Sequence, residues 1–270
     1  MSRSKIDRTG EVDISNEGCV MQIIEYNNAK DIVVEFQDGY KYRLHTRYKD
    51  FKNGQCKNPF YPSVYGYGYL GVDKNSNVPK MSEFKDGKCV HTWEYNKWKS
   101  MLRRCFDNKL KEKYPTYKDI TCCDRWLCFA NFLKDLEMLK QEYNWSADEK
   151  LNLDKDILNK NNKIYSLENC VLVPNWINTL FTKNDASRGD CPIGVCYRKQ
   201  AKKYQALCSI NGKQINLGLY NTPEEAFNAY KMAKENEIKR VADECVSKGF
   251  MTKDSRLYNA MINYQVKITD

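Results

Sequence analysis

Residues 204–230, YQALCSINGKQINLGLYNTPEEAFNAY, carry the strongest fold signal in the chain. Apolar and polar residues alternate on both sides of Asn211-Gly212, a dipeptide typical of a tight β-hairpin turn. Thr222, Pro223 and Glu225 then give the pattern of a helix start, with a capping hydroxyl, a proline in the first turn and a glutamate that closes a capping box. The stretch therefore predicts two paired strands followed by a helix.

A third strand is predicted just upstream, which completes a small domain of three strands and one helix. The predicted strands are Ile193–Tyr197, Tyr204–Ile210 and Gln214–Leu219, and the helix runs to about Ser247. Strand alternation predicts that one face of the sheet packs against the helix. The residues of that face are Val195, Tyr197, Tyr204, Ala206, Ile210, Ile215 and Leu217. The outer face then carries Cys196, Arg198, Gln205, Leu207, Ser209, Gln214 and Asn216.

The rest of the chain mixes short strands with amphipathic helices, so we expect an α+β protein. An N-terminal β-rich unit, with strands over 20–46, is predicted at 1–72 and a largely helical region at 90–181. The three-stranded sheet with its helix occupies 190–248, and the tail 249–270 docks on the body as a short helix and a strand. Polar stretches at 73–88 and 182–190 are interpreted as linkers.

Within the central region, apolar residues spaced three and four apart predict helices at 95–106 and 124–142. A strand is predicted at Leu151–Ile157, and a second apolar run follows at Cys170–Val173.

Composition restricts the class of protein further. The chain of 270 residues carries 44 Lys and Arg against 35 Asp and Glu, a net charge of +9 that suits a polyanionic partner. No apolar run approaches the length of a membrane span, and residues 1–8 contain no signal-peptide core. We therefore expect a cytoplasmic protein with no membrane partner.

The 12 cysteines do not follow the spacing of paired zinc hooks. We do not expect a structural zinc site; the set closest to one is Cys89, His91, Cys105 and Cys122. In a reducing compartment, most of these cysteines would be small buried apolar residues.

The C-terminal unit resembles the AP2-like DNA-binding domains of plant transcription factors and mobile nucleases. The matching residues, in order, are Gly194-Val195, Tyr204-Gln-Ala206, Asn211-Gly-Lys213, Leu217-Gly218, Thr222–Ala226 and Ala229-Tyr230. The resemblance implies contact with double-stranded DNA through the outer face of the sheet.

The central region resembles the HNH-type proteins common in phages, whose ββα-metal fold holds one divalent ion. The matching residues are Tyr95–Trp98, Arg104-Cys105, Tyr114–Tyr117, Cys123–Trp126, Leu153–Asp156 and Tyr165–Asn169. Residues 21–71 also resemble the leader of phage proteins that combine both parts. The resemblance implies a phage-encoded protein that acts in the bacterial cytoplasm.

The HNH resemblance implies Mg²⁺ or Mn²⁺ held by Asp154 on a strand and by Asn169 near the ligand position of the helix. It places Lys155 where the general-base histidine belongs. A free lysine has a pKa of about 10.4, roughly three units too high for a base at neutral pH. The flanking carboxylates of Asp154 and Asp156 also stabilise an ammonium group. Catalysis by Asp154, Lys155 and Asp156 and a salt-bridged strand end or phosphate clamp therefore remain alternatives.

The candidate DNA contacts lie in two regions. On the predicted sheet, Arg198, Gln205, Gln214 and Asn216 suit base edges or phosphates, and the adjoining loop supplies Lys199, Lys202 and Lys203. Arg103 and Arg104 on the first central helix would add phosphate contacts.

Three functions are consistent with this pattern. The first is a DNA-binding protein of HNH/AP2-like architecture with an altered nuclease site. The second is an active, homing-like, metal-dependent HNH endonuclease. The third is an anti-CRISPR-like inhibitor that binds a bacterial defence protein or nucleoprotein complex.

Overall fold

The computed structural model describes residues 6–182 and 191–270. The predicted linker at 182–190 lies outside the described residues except for Thr182. Contacts divide the chain into two compact units, Met1–Lys134 and Asp135–Asp270. Helices and several small sheets occur in both units, so the predicted mixed α+β class is confirmed.

The first unit begins with a four-stranded antiparallel sheet in the order β1-β2-β3-β4. Its strands are β1 Val12–Ile14, β2 Val20–Asn28, β3 Asp31–Phe36 and β4 Arg43–Thr46, followed by α1 Tyr48–Lys52. Alternating residues of β2 and β3, such as Met21, Ile23 and Phe36, pack with Phe51 of α1 in a closed core. The predicted strands are present, and the alternation that predicted them reflects this one-sided core.

The segment interpreted as a polar linker at 73–88 is not a linker throughout. Its second half enters a β-hairpin formed by β5 Ser82–Lys85 and β6 Lys88–His91. Asp86 and Gly87 take φ values of 50° and 74° at the turn, as a two-residue hairpin turn requires. The prediction was wrong because Glu83, Lys85 and Lys88 make the strands polar, and these residue types are depleted in strands.

Both predicted helices of the central region are present with shifted ends. The first unit continues through α2 Trp93–Phe106, α3 Asn108–Lys113, a 3₁₀ turn Pro115–Tyr117, β7 Thr121–Cys122 and a 3₁₀ turn Asp124–Leu127. It ends within α4 Phe129–Gln141, whose residues from Asp135 onward belong to the second unit. The buried Trp98 of α2 donates its indole N–H to the carbonyl of Trp126 at 2.7 Å. The helix predicted at 124–142 is therefore split into a 3₁₀ turn and α4.

The second unit is organised around one long helix. It contains β8 Leu151–Asp154, β9 Ile164–Tyr165, β10 Val171–Pro174, α5 Asn175–Phe181, β11 Val195–Arg198, β12 Lys203–Ile210, β13 Lys213–Tyr220, α6 Pro223–Ser247 and α7 Arg256–Ile262. β8 and β10 form an antiparallel pair, and β11-β12-β13 form a three-stranded antiparallel sheet. The predicted capping box at Thr222 and Glu225 is present at the start of α6.

Helix α6 contributes to two separate cores. Its first half places Phe227 and Tyr230 against Val195 and Ala206 of the sheet. Its second half belongs to another cluster, which joins the β8–β10 region to α5 and α7. The members of that cluster on α6 are Ile238, Val241, Ala242 and Cys245, and those on β10 and α5 are Val171, Val173 and Ile177.

The tail docks on the second unit, as predicted, but only part of it has the expected form. Helix α7 is present, whereas the tail residues after it, all of which the structure describes, belong to no strand. Val266 is instead buried in the core of the sheet, with its N–H donating to Glu235 and its carbonyl accepting from Lys231, both on α6. The tail is thus held by side chains of the helix.

The predicted inner face of the sheet is only partly covered by the helix. Val195 on β11 and Ala206 on β12 are buried, but Tyr197 and Ile215 are 47% and 40% exposed. Tyr197 lies on β11 and Ile215 on β13, which are the two edge strands of the sheet. Helix α6 packs chiefly on the central strand β12, so the outer parts of the edge strands remain uncovered.

Gly194 tests how tightly α6 packs on this sheet. It has a φ of +76°, and an added Cβ would lie 2.1 Å from Cδ2 of Tyr230. Gly212 has a similar φ of +72° but no atom within 4 Å of such a Cβ, which makes it a matched control. We expect Gly212→Ala to cost about 1 kcal/mol from backbone strain alone and Gly194→Ala roughly 2–4 kcal/mol. Urea denaturation measures both variants, and equal losses would contradict this packing.

Candidate functional site

The end of β8 forms a tightly bonded loop. Asp154 pairs with Val171 across the sheet, and its Oδ1 accepts the backbone N–H groups of Asp156 and Ile157 at 2.7 and 2.9 Å. Burial raises the pKa of Asp154 above its ordinary value, while these two hydrogen bonds act in the opposite direction. Oδ2 accepts no hydrogen bond from any residue in 6–182 or 191–270, so one carboxylate oxygen retains its capacity to accept.

Lys155 is committed to this loop. Its side chain is buried, and Nζ donates to Oδ1 of Asp156 at 2.7 Å and to the carbonyl of Asn162 at 2.8 Å. The ring of Tyr165 lies 5.8 Å from the same nitrogen. A general base must have a lone pair directed at the proton it removes, whereas this nitrogen already donates within the loop. The geometry favours the salt-bridged alternative over a catalytic base.

Asn162 is a residue of this loop that the sequence analysis missed. Its Nδ2 donates to the carbonyls of Lys155 and Ile164 at 3.0 and 2.8 Å, and its Oδ1 accepts the N–H of Ile164 at 3.1 Å. Together with Lys155, it fixes both ends of the segment 155–164. The only signal in the sequence was its place in an asparagine-rich segment. Such a segment is typical of a loop, but it does not indicate which groups Asn162 hydrogen-bonds.

The predicted position of Asn169 on a helix is wrong. Asn169 lies in the turn before β10, whereas helix α5 begins at Asn175. Its Nδ2 lies 3.4 Å from the carbonyl of Ile164, and its backbone N–H donates to Oγ of Ser166. The apolar run after Asn169 is a strand, so the polypeptide crosses the sheet once more before any helix starts.

The metal-binding potential of the chain is modest. Mg²⁺ takes oxygen ligands, commonly one or two carboxylates with water, and the open oxygen of Asp154 is suited to one such position. Among the residues described, no three or more His, Cys, Asp or Glu side chains are grouped to hold a metal. The set Cys89, His91, Cys105 and Cys122 does not form such a group.

The outer face of the three-stranded sheet gathers most of the predicted DNA contacts. Arg198 on β11 donates from Nε to Oε1 of Gln205 on β12, which places the two side chains side by side. On β13, Gln214 and Asn216 are exposed, and Asn216 accepts the N–H of Gly218 at 3.1 Å. Lys199, Lys202 and Lys203 are exposed at the β11–β12 turn, at one end of this face.

Arg103 and Arg104 lie on α2 of the other unit. Arg103 is exposed and its Nε lies 3.3 Å from Oδ2 of Asp107, so part of its charge is balanced. Arg104 is half-buried. The pKa of Lys97 is lowered by the burial of Lys97 itself and by the positive charge of Arg104. A cationic surface therefore exists on α2, but the two sets of predicted contacts belong to different units.

Comparison with known proteins gives no assignment, since no protein-family profile, curated protein or solved structure matches this chain. Among the helices in the described parts of the chain, none has the length and apolar character to cross a membrane.

The role of Lys155 can be tested by stability. Lys155→Met keeps the length of the side chain but leaves Asp156 and the carbonyl of Asn162 without their donor. We expect a loss of about 1–3 kcal/mol in the free energy of unfolding, because the buried side chain loses two charge-assisted hydrogen bonds. The exposed Lys163 in the same loop supplies the control, and Lys163→Met should stay within about 0.5 kcal/mol of the parent. A neutral Lys155→Met would show that the clamp is not structural.

Proposed function

We propose that the protein binds double-stranded DNA through the outer face of its three-stranded sheet. The observation that carries the proposal is the composition of that face, where Arg198, Gln205, Gln214 and Asn216 lie on adjacent strands opposite the helix-covered core. An antiparallel sheet that is buried on one side and polar on the other is one of the structures that read DNA grooves. The proposal retains the HNH/AP2-like architecture and the phage origin suggested by the sequence.

Different side chains of this face would contact bases and phosphates. Amide groups such as Gln214 and Asn216 pair with adenine edges, and arginine pairs with guanine. Because Oε1 of Gln205 accepts from Arg198, its Nε2 is left to donate to a base or a phosphate. The three lysines at the β11–β12 turn would meet phosphates, which fix register without reading sequence. With a single arginine among the four side chains named for this face, we expect modest sequence preference.

Binding is favoured over cleavage because of Lys155. The residue in the general-base position is buried in a salt bridge, and the second candidate ligand, Asn169, lies off the helix. The site is therefore that of an altered nuclease, in which Asp154 could still accept Mg²⁺ or Mn²⁺. Active cleavage is the alternative that the open oxygen of Asp154 supports.

A mobility-shift titration with a 30-bp duplex tests the binding face. We expect Arg198→Ala/Gln214→Ala to weaken binding by about 30-fold or more, because two base contacts are lost and each good one contributes about 1–3 kcal/mol. Replacing Lys199, Lys202 and Lys203 by alanine should reduce the slope of log affinity against log salt by about 3, roughly 0.9 for each phosphate. The control is Lys239→Ala, an exposed lysine on α6. Equal losses in the control would contradict a role for the sheet face.

Incubation of supercoiled plasmid with Mg²⁺ or Mn²⁺ separates binding from cleavage. We expect a mobility shift without nicking, since Nζ of Lys155 already donates to Asp156 and to the carbonyl of Asn162 within the loop. Nicking that disappears in Asp154→Ala would instead establish the endonuclease. If neither effect is seen, the DNA proposal fails and a bacterial defence complex becomes the partner to test.

A further inference from the structure

The hairpin of β5 and β6 is the most exposed regular element in the first unit. Every strand residue except Ser82 is exposed, on both faces of the ribbon. An isolated two-stranded hairpin is marginally stable in water, and it normally packs a face against another element. Asp86 and Gly87 have left-handed backbone conformations, which suit a tight hairpin turn and favour pairing of the two exposed strands.

One face of the ribbon carries an exposed aromatic side chain near the tip. Phe84 is 81% exposed, the highest value among the large apolar residues exposed in the described parts of the chain. It lies opposite Cys89, so no larger side chain shields it across the strands. An aromatic ring in this position is costly to leave in water and is suited to stacking.

The other face carries two lysines in a strained arrangement. Lys85 and Lys88 are directly opposite each other in the register, next to the turn. Like charges in directly opposed positions destabilise an antiparallel pair. Neither lysine forms an ion pair or hydrogen bond within residues 6–182 and 191–270. A polyanion would relieve this repulsion.

We propose that residues 82–91 form an arm that lies in a groove of duplex DNA, with Phe84 inserted at a base step and Lys85 and Lys88 on the flanking phosphates. The inference rests on the proposed DNA binding and adds a second contact, made by the first unit. A two-stranded ribbon fits a DNA groove, with one face toward the bases and long side chains of the other face reaching the backbone. Apolar wedges that unstack a base step are an established means of DNA recognition.

The wedge makes a distinctive prediction, since insertion costs less where a base is already unpaired. We expect the parent protein to bind a 30-bp duplex with one central mismatch about 10-fold more tightly than the fully paired duplex. Phe84→Ala should abolish that preference and leave affinity for the paired duplex within about twofold. The matched control is Val90→Ala, which removes an exposed apolar side chain from the opposite face of the same ribbon.

Two further measurements complete the test. Lys85→Ala/Lys88→Ala should weaken binding to both duplexes and reduce the salt slope by about 2, at roughly 0.9 for each phosphate. A 2-aminopurine beside the mismatch should brighten with the parent protein and with Val90→Ala, but not with Phe84→Ala. Thermal unfolding followed by circular dichroism checks that these exposed substitutions leave the fold intact.

The outcomes separate this inference from the proposed function. Binding that depends on Arg198 and Gln214, with no mismatch preference, would overturn the arm and retain the sheet face. A mismatch preference that depends on Phe84 but not on Arg198 would retain the arm and overturn the sheet face. If the parent protein binds neither duplex, both fail, and the exposed hairpin must be assigned to a protein partner.

Discussion

The second unit depends on a single constraint, the packing of α6 against two different partners. At 1.5 Å per residue, its 25 residues span about 37 Å, long enough to serve two cores in succession. Glu237 lies on α6 between the residues that pack in the first core and those that pack in the second. Its carboxylate accepts two hydrogen bonds from Arg240 and the N–H of Asn211 at the β12–β13 turn, and the bonds from Arg240 hold the pKa of Glu237 below its ordinary value. The turn of the sheet is therefore fixed to the helix by a buried charge.

The parts of the fold that the sequence predicted are those specified by neighbouring residues. The cap of α6, the turn at Asn211-Gly212 and the alternation of β12 all depend on side chains close in the chain. What could not be predicted was the position of a strand within its sheet. Tyr197 and Ile215 follow the same alternation as Ala206, yet they lie on parts of the edge strands that the helix does not cover.

In the loop after β8, too, the contacts that decide the structure could not be predicted from neighbouring residues. The HNH resemblance predicted Lys155 at the position of a histidine, and both catalysis and a salt bridge were alternatives there. The decisive contact is with the carbonyl of Asn162, seven residues away, and carbonyl positions cannot be inferred from residue types. Asn169 was misplaced because an apolar run such as Val171–Val173 fits either a strand or a helix.

These features together indicate how such a protein would discriminate among DNA sites. Direct reading requires several side chains that match base edges, and the outer face offers one arginine and three amides among its named contacts. In the proposed complex, the lysines at the β11–β12 turn would contact phosphates, which carry no sequence information. An element that deforms the duplex supplies selectivity of another kind, because the cost of deformation depends on the local sequence. A rigid sheet with few reading groups therefore gains most from a second contact that responds to the flexibility of the DNA.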